Sequence, residues 1–226
     1  MTQPVPIRRD RPRPRLLDAF CCQGGASMGY VHAGFDVTGV DLSPQPRYPF
    51  TFIQGDAIEF IREHGAEFDF IHASPPCQRY SRAQKIQQRE HPDLIAPTRA
   101  ALEATGRSWV IENVEEAARV LRDPVTLCAA AFGMHTYRHR LFETGGGFTF
   151  TPPPHPPHRA PLTKMGRPRA DGYFAHYVGN FSGVTEARID MRVPWMNRDG
   201  IRECIPPAYT QWIGAQFLTL GRSAAA

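Results

Sequence analysis

The stretch Phe68-Asp-Phe-Ile-His-Ala-Ser-Pro-Pro-Cys-Gln78 sets a cysteine shortly after a short apolar run. The run, residues 68–73, has the pattern of a buried strand. In α/β proteins, ligands and reactive groups collect beyond the carboxyl ends of the strands. Cys77 is therefore a candidate nucleophile.

Other apolar runs alternate with helical patterns on both sides of this one. They cover residues 16–20, 37–41, 51–56 and 109–114. This alternation predicts an α/β fold with a mostly parallel sheet flanked by helices. The carboxyl ends of parallel strands share one edge, so we expect the polar and reactive residues of these runs to lie together there. Those residues are Asp18, Asp41, Asp56, Cys77 and Glu112.

The chain has 226 residues, enough for one α/β core and a small insertion but not for two independent domains. Regular periodicity is lost after Thr144, where Gly-rich and Pro-rich sequence begins. We predict a basic tail at residues 1–15, a core at 16–144 and a loop-rich insertion at 145–195. A C-terminal segment, residues 196–226, is expected to return to the core through a helix with a proline near its start.

The basic residues are concentrated in two clusters, although the net charge is only +4. The first is the tail, with Arg8, Arg9, Arg11, Arg13 and Arg15, and the second comprises Arg159, Lys164, Arg167 and Arg169. Both are suited to phosphate contact. For the tail, a disordered solubilising extension is an equally good interpretation.

No apolar run approaches the length of about 20 residues that a membrane span needs, and the amino terminus has no apolar signal core. We therefore expect a cytosolic protein with no membrane partner. The five cysteines form no Cys-x-x-Cys pair, so their spacing predicts neither a zinc site nor a disulfide framework. His155 and His158 offer only two ligands, so we predict no metal and assign them to solvent or phosphate contact.

The order of motifs from residue 16 to about residue 220 resembles the cytosine-C5 DNA methyltransferase family. Asp18-Ala-Phe-Cys-Cys-Gln-Gly-Gly25 resembles the family's first glycine-rich turn, which implies a Rossmann-like methyltransferase fold with S-adenosylmethionine (SAM) as cofactor. Gly24 and Gly25 would allow a tight turn, and the next helix would offer its positive amino terminus to the methionine carboxylate. Cys22 stands where the family usually has glycine, and we assign the Cys21–Cys22 pair no chemistry.

Two acids resemble the family's other cofactor ligands. Asp41 matches the ribose-binding carboxylate, and Asp56 matches the acid that accepts from the adenine amino group. Each acid taken alone could instead cap a helix. The resemblance implies a cofactor site formed by Asp18, Phe20, Gln23, Gly24, Gly25, Asp41, Leu42, Asp56, Ala57 and Pro75.

The resemblance also implies covalent catalysis by Cys77. Its thiolate would add to C6 of cytosine and so make C5 nucleophilic toward the methyl group of SAM. Glu112 resembles the acid that serves the ring nitrogen N3, which requires its pKa to be raised. Arg140 is expected near the cytosine O2 and the thiol, with Arg138 in support. Thr136 stands where the family usually has glutamine.

Double-stranded DNA is the predicted partner, and the target base must swing out of the stack to reach the thiol. Residues 78–89 resemble the family's mobile loop over DNA, although a solvated helix face has a similar composition. The insertion would read about two to four base pairs. The DNA contacts are assigned to Gln78, Ser81, Arg82, Lys85, Arg159, Lys164, Arg167 and Arg169.

Three questions stay open at the level of sequence. The same chemistry could act on RNA or a free cytosine nucleotide, and a catalytically silent DNA-binding relative would keep the fold. Residues 207–214 resemble the family's closing motif, in which Tyr209 and Trp212 are either cofactor contacts or core aromatics. We expect a monomer.

Overall fold

The computed structural model describes residues 12–76, 93–164 and 166–223. Its centre is a seven-stranded sheet. The strands are β1 (Arg15–Ala19), β2 (Asp36–Asp41), β3 (Thr51–Gln54), β4 (Phe70–Ala73), β5 (Ser108–Asn113), β6 (Val125–Leu127) and β7 (Arg140–Gly145). They lie side by side in the order β3-β2-β1-β4-β5-β7-β6. The first five are parallel, and β7 runs antiparallel to both of its neighbours, β5 and β6.

Six α-helices accompany the sheet in the described residues. They are α1 (Gly25–Ala33), α2 (Ala57–His64), α3 (Ile95–Ala104), α4 (Val184–Asp190), α5 (Arg198–Glu203) and α6 (Pro207–Ser223). Short 3-10 turns occupy Gly65–Glu67, Glu115–Ala117 and Ala129–Phe132. None of the helices in this part of the chain is long and apolar enough to cross a membrane.

The strands bury both faces because successive side chains point to opposite sides of the sheet. On one face, Leu16 and Phe70 pack in a cluster with residues of α1 and α6. On the other face, Leu17 and Ile71 pack with residues of α2 and α3. The predicted α/β fold with a mostly parallel sheet is confirmed, and each of the five predicted runs overlaps one of the strands β1 to β5.

Helices α1 and α6 lie against each other at Gly29. A Cβ atom at this position would lie 2.0 Å from both the Pro207 carbonyl oxygen and the Thr210 hydroxyl. The Thr210 hydroxyl donates to the Ala26 carbonyl at 2.8 Å. The segment predicted to return to the core through a helix with a proline near its start contains α6, which begins at Pro207.

Strands β6 and β7 extend the sheet beyond the predicted strands. Strand β7 carries Glu143, which is almost fully buried and is held by Arg99 of α3 through two bonds of 2.5 and 2.6 Å. Because β7 is antiparallel, its first residue, Arg140, lies at the same edge as the carboxyl ends of the parallel strands. The sheet therefore brings Arg140 to the end of β5.

The region predicted as a loop-rich insertion has few regular elements among its described residues, namely α4 and an isolated bridge between Leu162 and Phe174. It is nevertheless packed on the sheet. Phe148, Phe150 and Tyr177 belong to the same buried cluster as the residues of α1 and α6. The domain boundaries stay a prediction.

Candidate active site

A cavity of about 420 Å³ opens at the carboxyl ends of the parallel strands. Its volume lies in the range usual for small-molecule sites. Residues from the ends of β1, β2, β4 and β5 form its wall together with the segment that follows α5. The lining includes many residues singled out in the sequence: Asp18, Phe20, Gln23, Gly25, Asp41, Leu42, Asp56, Ala57, Pro75, Glu112 and Arg140.

Three residues of the turn between β1 and α1 have a left-handed backbone conformation. Phe20, Cys22 and Gly24 have φ angles of 63°, 46° and 79°. A Cβ atom at Gly24 would also approach the Tyr48 ring to 2.9 Å, so glycine is needed there for conformation and for space. The turn leaves the first residues of α1, Gly25 and Ala26, in the cavity wall. The positive end of α1 therefore favours an anionic group at this place.

Asp18 is buried at the bottom of the cavity. One of its oxygens, Oδ2, accepts from the Ser27 hydroxyl, and Ser27 is also bonded to the Tyr48 hydroxyl at 2.7 Å. The other, Oδ1, is buried with no partner among the described residues. Burial, followed by the negative charges of Asp41 and Glu112, raises the pKa of Asp18 to about 7. An unpaired buried carboxylate oxygen is a site for a ligand that donates or carries positive charge.

Two further acids stand at the cavity wall and are fixed by backbone amides. Asp41 ends β2 and accepts from the amides of Cys22 at 3.0 Å and Ser43 at 2.9 Å. Asp56 caps α2, since its Oδ1 accepts from the amides of Ile58 at 2.8 Å and Glu59 at 3.0 Å. Both of these bonds use Oδ1, so Oδ2 can accept from a further donor. Asp56 is thus a helix cap that also faces the cavity.

Glu112 and Arg140 form a largely buried pair in the cavity wall. The Nε of Arg140 lies 3.0 Å from Oε1 of Glu112, and its Nη1 donates to the His139 carbonyl at 2.8 Å. Burial raises the pKa of Glu112, against the opposing effects of Arg140, a Ser74 hydrogen bond and Arg138. A carboxyl group held in this way can exist in its protonated form and donate a hydrogen bond.

A buried histidine connects the core to this pair, and sequence reasoning missed it. His72 of β4 is fully buried, with its Nε2 2.9 Å from the Ser74 hydroxyl and its Nδ1 3.0 Å from the Tyr30 hydroxyl. Burial lowers the pKa of His72 to about 3, so the ring is neutral near pH 7. Ser74 in turn hydrogen-bonds Glu112. The only signal in the sequence was a histidine inside an otherwise apolar strand.

Arg138 lies behind the cavity rather than in its wall. Its guanidinium donates to the carbonyls of Cys204 at 2.8 Å and Tyr177 at 3.1 Å, and to those of Ile201 at 3.0 Å and Arg202 at 2.8 Å. Burial, with the nearby charge of Arg140, lowers its pKa to about 10. Arg138 therefore fastens the end of α5, which forms part of the cavity wall.

Tyr209 and Trp212 of α6 are not part of the cavity wall. Tyr209 is fully buried and its hydroxyl donates to the Arg138 carbonyl at 2.7 Å. Trp212 is partly exposed and its indole nitrogen donates to the Thr151 carbonyl at 2.8 Å. These contacts support the interpretation of the two residues as packing aromatics.

The thiols of Cys21 and Cys22, in the turn before α1, are in their unreactive protonated form. Burial raises the pKa of Cys21 and also that of Cys22, so both stay protonated near neutral pH. The Cys22 sulfur contacts Glu203 at 3.7 Å. Thr136, the other departure from the family pattern, is a buried residue just before Arg138.

Five of the predicted residues, Cys77, Gln78, Ser81, Arg82 and Lys85, lie outside the described residues. The last described residues before Cys77 lie in the cavity wall. Pro75 and Pro76 both line the wall, and the Asn113 side chain donates to the Pro75 carbonyl at 2.9 Å. The described chain therefore ends in the cavity wall at Pro76, the residue before Cys77 in the sequence.

The predicted DNA-contacting residues of the insertion differ in their surroundings. Arg159, Lys164 and Arg167 are exposed. Arg169 is half-buried and pairs with Glu186 at 2.5 Å. The first three therefore present their charges to solvent, whereas part of the charge of Arg169 is already compensated.

No family model matches the chain, and no curated protein matches it. Solved structures do resemble it. One is described as a DNA modification methyltransferase encoded within an E. coli prophage, with 21% identity, a TM-score of 0.39 and coverage of 58% of this chain and 46% of that one. Another is the S. pombe Dnmt2 methyltransferase, with 15% identity, a TM-score of 0.42 and coverage of 62% and 52%. This chain thus spans about half the length of these structures, and at such values the likeness carries no argument about its chemistry.

Proposed function

We propose that the protein is a SAM-dependent DNA cytosine-C5 methyltransferase. The observation that carries the proposal is the position of the Glu112–Arg140 pair, 3.0 Å apart, in the wall of the same cavity as the glycine turn and the acids Asp18, Asp41 and Asp56. A nucleophile that follows Pro76 in the chain completes the set of groups that this reaction needs.

The described residues fit SAM along the length of the cavity. The amino terminus of α1 suits the methionine carboxylate, and the unpaired oxygen of Asp18 suits the positive amino group. Asp41 at the end of β2 suits the ribose hydroxyls, and the free oxygen of Asp56 suits the adenine amino group. When bound, the cofactor supplies an electrophilic methyl group on a positively charged sulfur.

The part of the cavity wall that carries Glu112 and Arg140 suits a cytosine ring. A protonated Glu112 donates to N3, and Arg140, whose Nε and Nη1 are already engaged, has its Nη2 available for O2. In the proposed reaction the Cys77 sulfur bonds to C6, and C5 then takes the methyl group. Loss of the C5 proton to a base and cleavage of the sulfur–carbon bond restore the aromatic ring. His72, through Ser74, holds Glu112 in place.

Double-stranded DNA is the proposed substrate. The exposed charges of Arg159, Lys164 and Arg167 suit a phosphate backbone, and a cytosine inside the stack must be flipped out before the thiol can reach C6. Residues 145–195 would recognise the sequence around the target, and we infer a short recognition context.

The test is to incubate the protein with SAM and unmethylated duplex DNA, digest the DNA to nucleosides and identify the product by mass spectrometry. We expect 5-methylcytosine from the wild-type protein and none from Cys77→Ala, while calorimetry shows similar SAM affinity for both. N4-methylcytosine, N6-methyladenine or full activity of Cys77→Ala would contradict the mechanism. Absence of any methylated base would contradict the proposed substrate.

A further inference from the structure

Four potential metal ligands meet at the sheet edge formed by β6 and β7, outside the cavity lining. Cys128 directly follows β6, His139 directly precedes β7, and His155 and His158 belong to the proline-rich segment after it. One ligand atom from each of these residues lies within 4.8 Å of those of the other three. We call these four residues the Cys-His cluster.

Two distances within the Cys-His cluster are close to those of a tetrahedral zinc site. The Cys128 sulfur lies 3.5 Å from Nε2 of His158, and Nε2 of His139 lies 3.1 Å from Nε2 of His155. Zinc bonds of about 2.0–2.1 Å to nitrogen and about 2.3 Å to sulfur place tetrahedral ligands about 3.4 Å apart for two nitrogens and about 3.6 Å apart for nitrogen and sulfur. The cluster is therefore already close to the spacing that the ion requires.

The orientation of the ligands is fixed by neighbouring groups. Oε1 of Glu115 lies 3.2 Å from Nδ1 of His139, so a proton on Nδ1 leaves Nε2 free to bind the metal. Metal-bound histidines almost always donate the other ring N–H to a carboxylate, a backbone carbonyl or water. The His158 ring stacks on Tyr137 with centroids 3.7 Å apart, and the Tyr137 hydroxyl donates to the Ala160 carbonyl at 2.7 Å.

Binding of a metal cation would convert the Cys128 thiol into a thiolate and release its proton to solvent.

We propose that Cys128, His139, His155 and His158 bind one Zn²⁺ ion in a closed structural site. Four protein ligands complete a tetrahedron and leave no position for substrate, which is the pattern of structural zinc. One thiolate and three imidazoles suit zinc better than magnesium or calcium, which prefer oxygen. The inference does not depend on the proposed function.

The ion would tie the proline-rich segment at residues 155–158 to the β6–β7 edge. His139 stands between Arg138 and Arg140, and Arg140 pairs with Glu112 in the cavity. Holding His139 thus holds the start of β7, so the site stabilises the wall that carries Arg140. The sequence did not reveal it because the four ligands fit no usual spacing and are assembled by the β6–β7 pairing.

The test begins with the full chain, purified without chelators and without a histidine tag, and with its zinc content measured by mass spectrometry. We expect one zinc ion per chain in the wild-type protein and a large loss in Cys128→Ser and in His155→Ala. The matched control is His32→Ala, which removes an exposed histidine of α1 and should keep the full zinc content. Circular dichroism reports whether each variant is folded.

A second measurement identifies the ligands directly. The metal-free protein is loaded with Co²⁺, which should give the absorption of a tetrahedral site together with a thiolate charge-transfer band. That band should disappear in Cys128→Ser and persist in His32→Ala. Glu115→Gln should weaken zinc affinity by about 10- to 100-fold without removing a ligand.

Two outcomes would overturn the proposal. One is a folded wild-type chain that contains no zinc and takes up none in a titration with Zn²⁺. The other is undiminished zinc uptake by a folded chain carrying both Cys128→Ser and His155→Ala, which would place the metal elsewhere.

Discussion

The cavity and the Cys-His cluster lie at the same sheet but are assembled in different ways. The cavity draws most of its acids from short sequence motifs at the ends of parallel strands, as with Asp41 at the end of β2 and Glu112 in β5. The cluster draws one residue from each side of an antiparallel pair, Cys128 and His139, and two from a loop. A site formed at the ends of parallel strands can thus be recognised from sequence motifs. A site formed across the antiparallel pair β6 and β7 depends on how the two strands are aligned, which the sequence does not reveal.

The largest expected effect is a loss of the proposed methyl transfer on substitution of Glu112 in the cavity wall. Glu112→Gln keeps a hydrogen-bonding group of the same size but cannot supply a proton, so methyl transfer should fall by about 10²- to 10⁴-fold. Single-turnover kinetics with SAM and DNA measures the loss, and SAM affinity should change little. The matched control is Glu63→Gln, an exposed acid of α2, which should keep the wild-type rate. A wild-type rate in Glu112→Gln would show that the proposed mechanism does not need a proton from Glu112.

The second prediction concerns β7, which is linked to α3 by the buried pair of Glu143 and Arg99. Glu143→Gln leaves the Arg99 guanidinium, which is bonded to both carboxylate oxygens, without its counter-charge. Loss of one partner of a buried pair costs about 3–5 kcal/mol. The free energy of unfolding in urea should fall by that amount.

The control for this measurement is Glu103→Gln, which breaks an exposed pair with Arg122 of similar length, 2.8 Å. An exposed pair contributes about 0–1 kcal/mol. Equal losses in Glu143→Gln and Glu103→Gln would mean that burial does not matter for β7.

The third prediction uses pH to test the buried acid of the cavity. The pKa of Asp18 rises on folding from its ordinary value of 3.8 to about 7, so between these values the folded state binds more protons than the unfolded state. Asp18 should therefore lower the free energy of unfolding by up to about 4 kcal/mol as pH rises from about 4 to 7. His72, whose pKa burial lowers to about 3, has the opposite effect over much of the same range. The free energy of unfolding of Asp18→Asn should accordingly rise with pH relative to that of the wild type.

The matched control is Asp36→Asn, which changes an exposed aspartate at the start of β2 and should keep the pH dependence of the wild type. Urea unfolding at several pH values measures both variants without ligand. An equal pH dependence in Asp18→Asn and the wild type would show that Asp18 does not contribute to it.

The sequence predicted the parallel half of the sheet well and the antiparallel half poorly, for physical reasons. Strands β1, β2, β4 and β5 are buried on both faces and therefore appear as apolar runs. Strand β6 has only three residues, and β7 contains Glu143, whose burial depends on Arg99, a residue 44 positions away in the sequence. No local pattern reveals such a partner.

The same limit applies within the candidate site. Asp41 and Asp56 were found because each ends or follows a strand in a recognisable motif. The contacts of Arg138 were not predictable, because its carbonyl partners, among them Tyr177 and Cys204, come from distant and irregular parts of the chain. The neutral state of His72 follows from its burial, which is set by the packing of α1 on the sheet.

The smallest expected effect tests the turn before α1, where Cys22 occupies a left-handed conformation with φ of 46°. A side chain with a Cβ costs roughly 1–2 kcal/mol there, whereas glycine adopts this conformation freely. Cys22→Gly should therefore be more stable than Cys22→Ala by about 1 kcal/mol, since both remove the sulfur and only alanine keeps the Cβ. Urea unfolding of the two variants measures the difference. Equal stability, or a more stable alanine variant, would show that the turn relaxes around Cys22 and that the cavity wall tolerates a Cβ at this position without strain.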